Sequence, residues 1–296
     1  MRTITILLLI FSLPLFTLGQ GCSDAGLCTV SGLDTGFGNS IKQTTAQYST
    51  IIGLGEQNVF HLTTQFEIVI PTIKNQTVQL KIPYHFTFGN LGNIVGLGDL
   101  SLTINQKLFS IKKLDFVGVA GIKIPSNDAN KTKDGNALPM AYQTSLGTYD
   151  VIAGISTKFN KWLISFGYQH SFGHNLNEFE HTDSNPQYFN NYNQSYHLQR
   201  ADDIMLRVER VFKTKKYNLI FGVLPIYHLA DDKINDGEKV SNSSGLTLNL
   251  NASATKKLEN NSILKLIIAA PIIDREVRPD GLTRSFVIVF SYNIML

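Results

Sequence analysis

The stretch "VGLGDLSLTINQKL", residues 95–108, decides the fold class. In an extended chain Leu100, Leu102 and Ile104 fall on one side, and Asp99, Ser101, Thr103, Asn105 and Lys107 on the other, because successive side chains of a strand point to opposite faces. The same alternation runs down the chain. On 59–70, Phe60, Leu62, Phe66, Ile68 and Ile70 oppose His61, Thr63, Gln65 and Glu67. On 77–88, Val78, Leu80, Ile82 and Tyr84 oppose Gln79, Lys81 and His85. On 146–159, Tyr149, Val151, Ala153, Ile155 and Phe159 oppose Asp150, Ser156 and Lys158. The closing "SFVIVFSYNIML" puts Phe286, Ile288, Phe290 and Tyr292 together. Helical periodicity is almost absent after the first twenty residues, so the pattern predicts an all-β chain.

Segmenting on this alternation gives about twelve strands. They lie near 46–55, 59–70, 77–88, 96–109, 113–124, 146–159, 161–172, 200–213, 216–228, 245–257, 262–272 and 284–295. Connections after even-numbered strands are short, as in "SIKK", "NK" and "TK". Those after odd-numbered strands lengthen, reaching 125–145, 173–199 and 229–244. An even strand number, short turns at one end and long loops at the other are the layout of a transmembrane antiparallel up-and-down β-barrel. The barrel is expected over 46–296, behind an N-terminal periplasmic segment at 20–45.

A soluble sandwich or lipocalin-like barrel also alternates, and aromatic spacing argues against it. Tyr149 and Phe159 stand ten residues apart on one apolar face, as do Trp162 and Phe172, and Tyr217 and Tyr227. Ten residues at about 3.3 Å each, tilted about 40°, rise about 25 Å, the height of the lipid-facing band whose edges aromatic rings prefer. The charged residues Glu67, Lys81, Asp99, Lys107, Asp115, Lys123, Asp150, Lys158, Arg207, Glu209 and Lys265 all fall on the opposite face, together with His85. A dry core would make them costly, whereas a hydrated lumen tolerates them. Arg210 is on the lipid side, near a strand end from which a long cation snorkels to the headgroups.

The opening "MRTITILLLIFSLPLFTLGQ" reads as a signal peptide over 1–19, with Arg2 before an apolar run and Thr17 and Gly19 as the small residues before the cut. The run is broken by Ser12 and Pro14 and falls short of the roughly 20 residues of a spanning helix. Cys22 and Cys28 are the two cysteines of the sequence. In an exported, oxidising compartment a small disulfide loop is the first reading, and a lipid-modified Cys22 the second. The 296 residues carry a net charge of +3, with 17% charged and 43% hydrophobic residues. That balance excludes disorder by composition. It also gives no basic run or stacking array for nucleic acid.

Three motifs, "GLGDL" (96–100), "GIKIPS" (121–126) and "LGTYD" (146–150), taken in order, resemble those of outer-membrane proteins associated with a meta pathway of phenol degradation. That group of candidate transporters is related in broad style to the hydrophobic-compound and fatty-acid channels. The resemblance implies an outer-membrane barrel of transport type. The sequence departs from the group's pattern at Pro125, Ser126 and Asn127, where a proline-threonine-glycine turn is usual, and at Tyr149, where glycine is.

Chemistry is weakly signalled. "GYQHSFGHNLNEFEH" (167–181) resembles the lipid-facing His and Ser of the outer-membrane phospholipase, but Ser171 follows His170 directly and so faces the other way. His170, His174, His181 and His197 with Glu178, Glu180 and Asp183 match no ligand spacing, so no metal is assigned. Asp231, Asp232, Asp236 and Glu238 lack a full calcium-loop pattern and read as an exposed, solvated loop. No nucleotide or nucleophile motif appears, so neither a cofactor nor catalysis is expected. The expectation is a monomeric or weakly associated barrel in the outer membrane of a Gram-negative bacterium. It would be a passive channel for small, hydrophobic or aromatic solutes, its partners membrane lipid and, through the C-terminal strand, the barrel-assembly machinery. The alternatives are a structural or binding barrel without transport and an outer-membrane lipid hydrolase.

Overall fold

The computed structural model describes residues 43–72, 75–112, 114–182, 187–259, 261–281 and 285–296. The expected signal peptide and the pair Cys22 and Cys28 lie outside them. In chain order the strands are β1 (Thr45–Leu54), β2 (Phe60–Pro71), β3 (Gln76–Gly89), β4 (Gly92–Leu97), β5 (Leu100–Ile111) and β6 (Leu114–Ile124). They continue with β7 (Thr132–Lys133), β8 (Asn136–Ala137), β9 (Tyr149–Phe159), β10 (Trp162–Phe172), β11 (Asp203–Lys213) and β12 (Asn218–His228). The last are β13 (Lys233–Ile234), β14 (Glu238–Lys239), β15 (Gly245–Lys257), β16 (Ile263–Ile273) and β17 (Phe286–Met295).

The long strands pair antiparallel in sequence order, and β1 pairs with both β2 and β17, so the sheet closes on itself. Closure leaves no unpaired edge within the apolar band, which hydrocarbon demands. Strand β3 pairs with β4 along Tyr84–Gly89 and with β5 along Gln76–Lys81. β4 and β5 are therefore one broken stave, and the wall has twelve. β7–β8 and β13–β14 are small hairpins within the loops.

The opening stretch is thus less regular than its alternation predicts. Its stave starts at Gly92 rather than near 96, and the expected longer connection after β3 is a tight turn at Asn90 and Leu91. The stave breaks at Gly98–Asp99. Gly98 N–H donates to the Pro83 carbonyl at 2.9 Å, and a Cβ on Gly98 would overlap the His85 ring. Proline has no N–H to donate back, so the ladder cannot be completed at Pro83. The break falls there.

Outward positions are apolar and exposed, among them Phe66, Leu102, Ile104, Phe166, Leu206, Phe221, Leu250, Ile268 and Phe290. Such a belt is far larger than a soluble surface supports and suits lipid. No described helix is long and apolar enough to cross a membrane; this chain crosses with strands.

The long connections are not simply polar. Residues 125–148, 173–202 and 229–244 gather over the end opposite the short turns and bury an apolar core of their own. One cluster joins Leu138, Ala141, Tyr142, Phe179, Phe189 and Tyr192 to Val59 and Leu91 of the neighbouring turns. Another joins Ala129, Met140, Leu146, Leu198 and Ile234. Tyr142 pins the cap to the wall, its hydroxyl accepting from Leu91 N–H at 3.1 Å and lying 3.2 Å from the Tyr192 hydroxyl. Asn177 stitches the loops, donating through Nδ2 to the carbonyls of Ala129 and Leu138. Gly281 adopts φ +62° with its α-carbon against the Met140–Ala141 backbone, where a side chain would overlap main chain.

Candidate functional site

Beneath the cap, the inward ends of the strands carry a layer of buried charge. Lys123 Nζ lies 3.7 Å from Asp99 Oδ2 and 3.8 Å from Asp150 Oδ2. Asp99 also accepts from Leu146 N–H at 3.1 Å, so the carboxylate after the break in the stave ties the wall to the cap. Asp150 accepts from Thr148, Ser171 and Gln169 as well. Arg200 reaches Asp150 and Asp203, each at 3.3 Å, and Asp280 at 3.9 Å. Arg275 Nη2 lies 3.1 Å from Asp280, and its Nη1 is 3.8 Å from Asp232. His228 closes the layer, with Nδ1 2.6 Å from Asp203 Oδ1 and Nε2 2.8 Å from Asp232 Oδ1. Only an imidazolium, with a proton on each nitrogen, donates to both.

Burial works against the charge on Arg200. The carboxylates of Asp150, Asp203, Asp280 and Asp232 outweigh it and hold its pKa above the ordinary arginine value. In the turn between β1 and β2, burial pushes Glu56 up to about 7, with the nearby Arg278 pulling it back. Asn193 Nδ2 donates to Glu56 at 3.0 Å, so this carboxyl joins the turn to the loop after β10.

One turn deeper the interior changes character. Val119, Ile152, Met205, Leu224 and Ile226 form a buried apolar cluster on one side of the lumen. The register puts Gly167 between Gly154 and Met205, and Met205 beside Ile226. Deeper again, Arg207 Nη1 lies 3.9 Å from Glu209 Oε1 and Asn251 Nδ2 donates to the same oxygen. That bond spans from β11 to β15 because Gly222, between them on β12, has no side chain to block it. Along β15 the inward residues are Thr247, Asn249, Asn251 and Ser253. Among the described residues, Thr247 Oγ1, Asn249 Oδ1 and Ser253 Oγ have no hydrogen-bond partner.

The residues singled out from sequence divide accordingly. Asp99, Lys123 and Asp150 come together in the charged layer. Glu67 and Lys81 face each other at 3.6 Å on the opposite wall, and His85 Nδ1 lies 2.7 Å from Thr63 Oγ1. Lys107 and Asp115 pair at 2.7 Å at the short-turn rim, where Asp115 is exposed; Lys158 is exposed at the same rim and Lys265 is half-buried. Tyr149, Phe159, Trp162, Phe172, Tyr217 and Tyr227 are all exposed, with Tyr149 opposite Phe172 and Phe159 opposite Trp162.

Other residues escaped the sequence pattern. Arg200, Asp203, His228, Asp232, Arg275 and Asp280 build most of the charged layer. The expectation that 230–238 is an exposed, solvated loop is corrected at Asp232, which is fully buried between His228 and Arg275. Strand parity with Arg207 and Glu209 points Asp203 inward; the loop residues have no periodic neighbours to mark them.

His170 and Ser171 lie on opposite sides of the wall. His170 Nδ1 is 2.6 Å from Asp202 Oδ1, while Ser171 Oγ donates to Thr148 and Asp150 inside. A base must reach its nucleophile, and this pair does not. Among the described residues no group of three or more His, Cys, Asp or Glu could hold a metal ion.

No protein-family model and no curated protein matches the sequence. Similarity appears among solved structures. An outer membrane channel from Pseudomonas putida F1 is similar over 89% of this chain and 99% of its own, with a TM-score of 0.64 and 13% identity. The NanC porin is similar over 85% and 98%, with a TM-score of 0.47 and 5% identity. The CymD monoaromatic hydrocarbon channel is similar over 94% and 95%, with a TM-score of 0.44 and 9% identity. It is the first of these likenesses that carries weight, and with the strand order above it shows that this chain has the fold of an outer-membrane channel: a closed, antiparallel, twelve-stranded transmembrane barrel.

Proposed function

We propose that the protein is a passive channel of the Gram-negative outer membrane for small solutes with apolar bodies. The observation that carries this reading is the buried cluster of Val119, Ile152, Met205, Leu224 and Ile226, set on the inner wall between the charged layer at Lys123 and Asp150 and the pair Arg207 and Glu209. An apolar stripe inside a barrel lowers the cost of desolvating an apolar solute. Beside it, the buried side-chain oxygens of Thr247, Asn249 and Ser253 lack a hydrogen-bond partner among the described residues. In this reading the inward charges Glu67, Lys81, Arg207 and Glu209 keep the remaining wall wetted. The exposed aromatics Tyr149, Phe172 and Tyr227 anchor the barrel at one membrane interface, and Phe159, Trp162 and Tyr217 at the other. The work asked of the protein is positioning and desolvation, with no chemical step.

The test is flux through proteoliposomes, comparing a monoaromatic hydrocarbon with a sugar of similar size. Met205→Trp and Ile226→Trp should each slow hydrocarbon entry by about tenfold, the cost of roughly 1.4 kcal/mol at the apolar cluster. Hydrocarbon flux unchanged in both folded variants would refute the route. A second reading, a barrel without transport, is favoured by one observation, the cap core around Tyr142, Phe179 and Phe189 over the mouth. It requires that neither solute pass even after the cap is cleaved by protease.

A further inference from the structure

The short-turn end carries a charge pattern that neither the barrel fold nor a channel function requires. The β11–β12 and β15–β16 turns stand side by side, because Lys213 pairs with Asn218 and Asn218 with Thr255. Between them they present Arg210, Lys213, Lys215, Lys216, Lys256 and Lys257, all exposed. Among the described residues of these turns, Glu259 is the one carboxylate, so six cations meet one anion. On the neighbouring β9–β10 turn the exposed Lys158 and Lys161 extend the excess to the side of Trp162, whereas Lys107 is neutralised by Asp115.

The position of these cations says what they face. Arg210 and Lys256 project from the outward faces of their strands, below the apolar belt. The Arg210 guanidinium lies 5.2 Å from the centres of both the Trp162 and Phe212 rings, and Lys256 Nζ lies 6.0 Å from that of Tyr217. A cation held on an aromatic ring at the margin of a lipid belt is at headgroup level. In outer-membrane barrels the short turns are periplasmic. We propose that this patch is a binding surface for anionic phospholipid headgroups of the periplasmic leaflet, selecting phosphatidylglycerol-type lipid over zwitterionic lipid. The proposal is independent of the solute reading above. Each interfacial cation contributes about a fivefold preference for an anionic surface, and the lysines on the turns add to those on the belt.

The protein supplies its own reporter, since Trp162 is its one tryptophan and stands at this patch. The full barrel is reconstituted into mixed phosphatidylcholine and phosphatidylglycerol vesicles. Bromines are carried high in the acyl chains of one lipid or the other, and Trp162 quenching yields the exchange constant between the two. Phosphatidylglycerol should be preferred by about fivefold or more, the factor one interfacial cation supplies. Replacing Arg210, Lys213, Lys215, Lys216, Lys256 and Lys257 together by Gln should lower the preference by at least about fivefold, while replacement of the lysines by Arg should keep it. Heat-modifiable migration reports that each variant is folded; should the Gln variant fail to fold, added salt must erase the preference in the native protein. Equal quenching by the two lipids, a preference that the Gln replacements leave unchanged, or one indifferent to salt would overturn the assignment. So would equal quenching accompanied by lysine-dependent sedimentation with purified sacculi, which would give the patch to the cell wall instead.

Discussion

Arg200 is the side chain whose removal should cost this protein most. It is buried against Asp150 and Asp203, each at 3.3 Å, and Asp280 at 3.9 Å. At an effective dielectric of about 20, one contact at that nearer distance is worth about 5 kcal/mol gross. Desolvating the guanidinium consumes most of the sum, so the intact cluster adds little net stability. Deletion is asymmetric. Arg200→Met leaves the carboxylates buried and under-neutralised, and removing one partner of such a pair costs about 3–5 kcal/mol. The assay is reversible urea unfolding in phospholipid vesicles, with heat-modifiable migration as an independent probe. Asp280→Asn in the Arg200→Met background should restore about 0.5–3 kcal/mol, because it reduces the surplus of buried carboxylates while Arg275 keeps Asp232 at 3.8 Å. A loss below about 1 kcal/mol for the single variant, the range of exposed ion pairs, would refute the reasoning. It would mean that water reaches these groups and that the layer is part of an open aqueous path.

Three further outcomes follow from other parts of the molecule. Tyr142→Phe removes the hydroxyl that accepts from Leu91 and faces Tyr192; it should loosen the cap by about 1–2 kcal/mol, read as faster limited proteolysis within 173–199 while the barrel stays resistant. Gly222→Ala places a methyl against Glu209, Asn251 and the Val208 carbonyl, and should cost about 1–3 kcal/mol in the same urea assay; no change would mean that the β11-to-β15 bond is not formed. Glu56 is raised from 4.5 to about 7 by burial, so the folded state holds its proton more tightly than the unfolded state. Its contribution is complete below pH 4.5 and is lost as the pH climbs through about 7. Protease sensitivity of the loop after β10 should therefore rise over that window, and Glu56→Gln should abolish the pH dependence.

The wall was legible in the sequence because a membrane barrel has two chemically opposed faces and a period of two. Leu102 and Thr103, or Tyr149 and Asp150, declare their sides without knowledge of any partner. The interior was legible only where it is polar. Ile152, Met205 and Ile226 face inward, yet an apolar residue on the inner parity looks like a fault in the pattern rather than a feature. Loops were least legible. Phe179, Phe189 and Tyr192 are brought to Leu138 and Tyr142 by closure of the barrel, an event that no local spacing encodes. Arg275 and Asp280 meet Arg200 and Asp232 for the same reason. The broken stave was hidden because "VGLGDLSL" passes for one alternating run, whereas the outward parity changes from Val95 and Leu97 to Leu102 and Ile104, with Gly98 and Asp99 both turned inward between them.

That break, opposite Pro83, gives the cylinder a preferred axis of deformation. On either side of it the short β4 and the full-length β5 are held to β3 by separate sets of bonds, so β4 can tilt without dragging β5. Elsewhere the staves run unbroken, with register shifts of one residue at Lys107/Phe109 and Leu248/Asn249. Thermal breathing should then be uneven among the wall residues, with amide exchange quicker at residue 99 than at its neighbours within β5. A cross-section that flexes along one diameter turns from round to oval, and the passage beneath the cap would change its width without any strand leaving its neighbours.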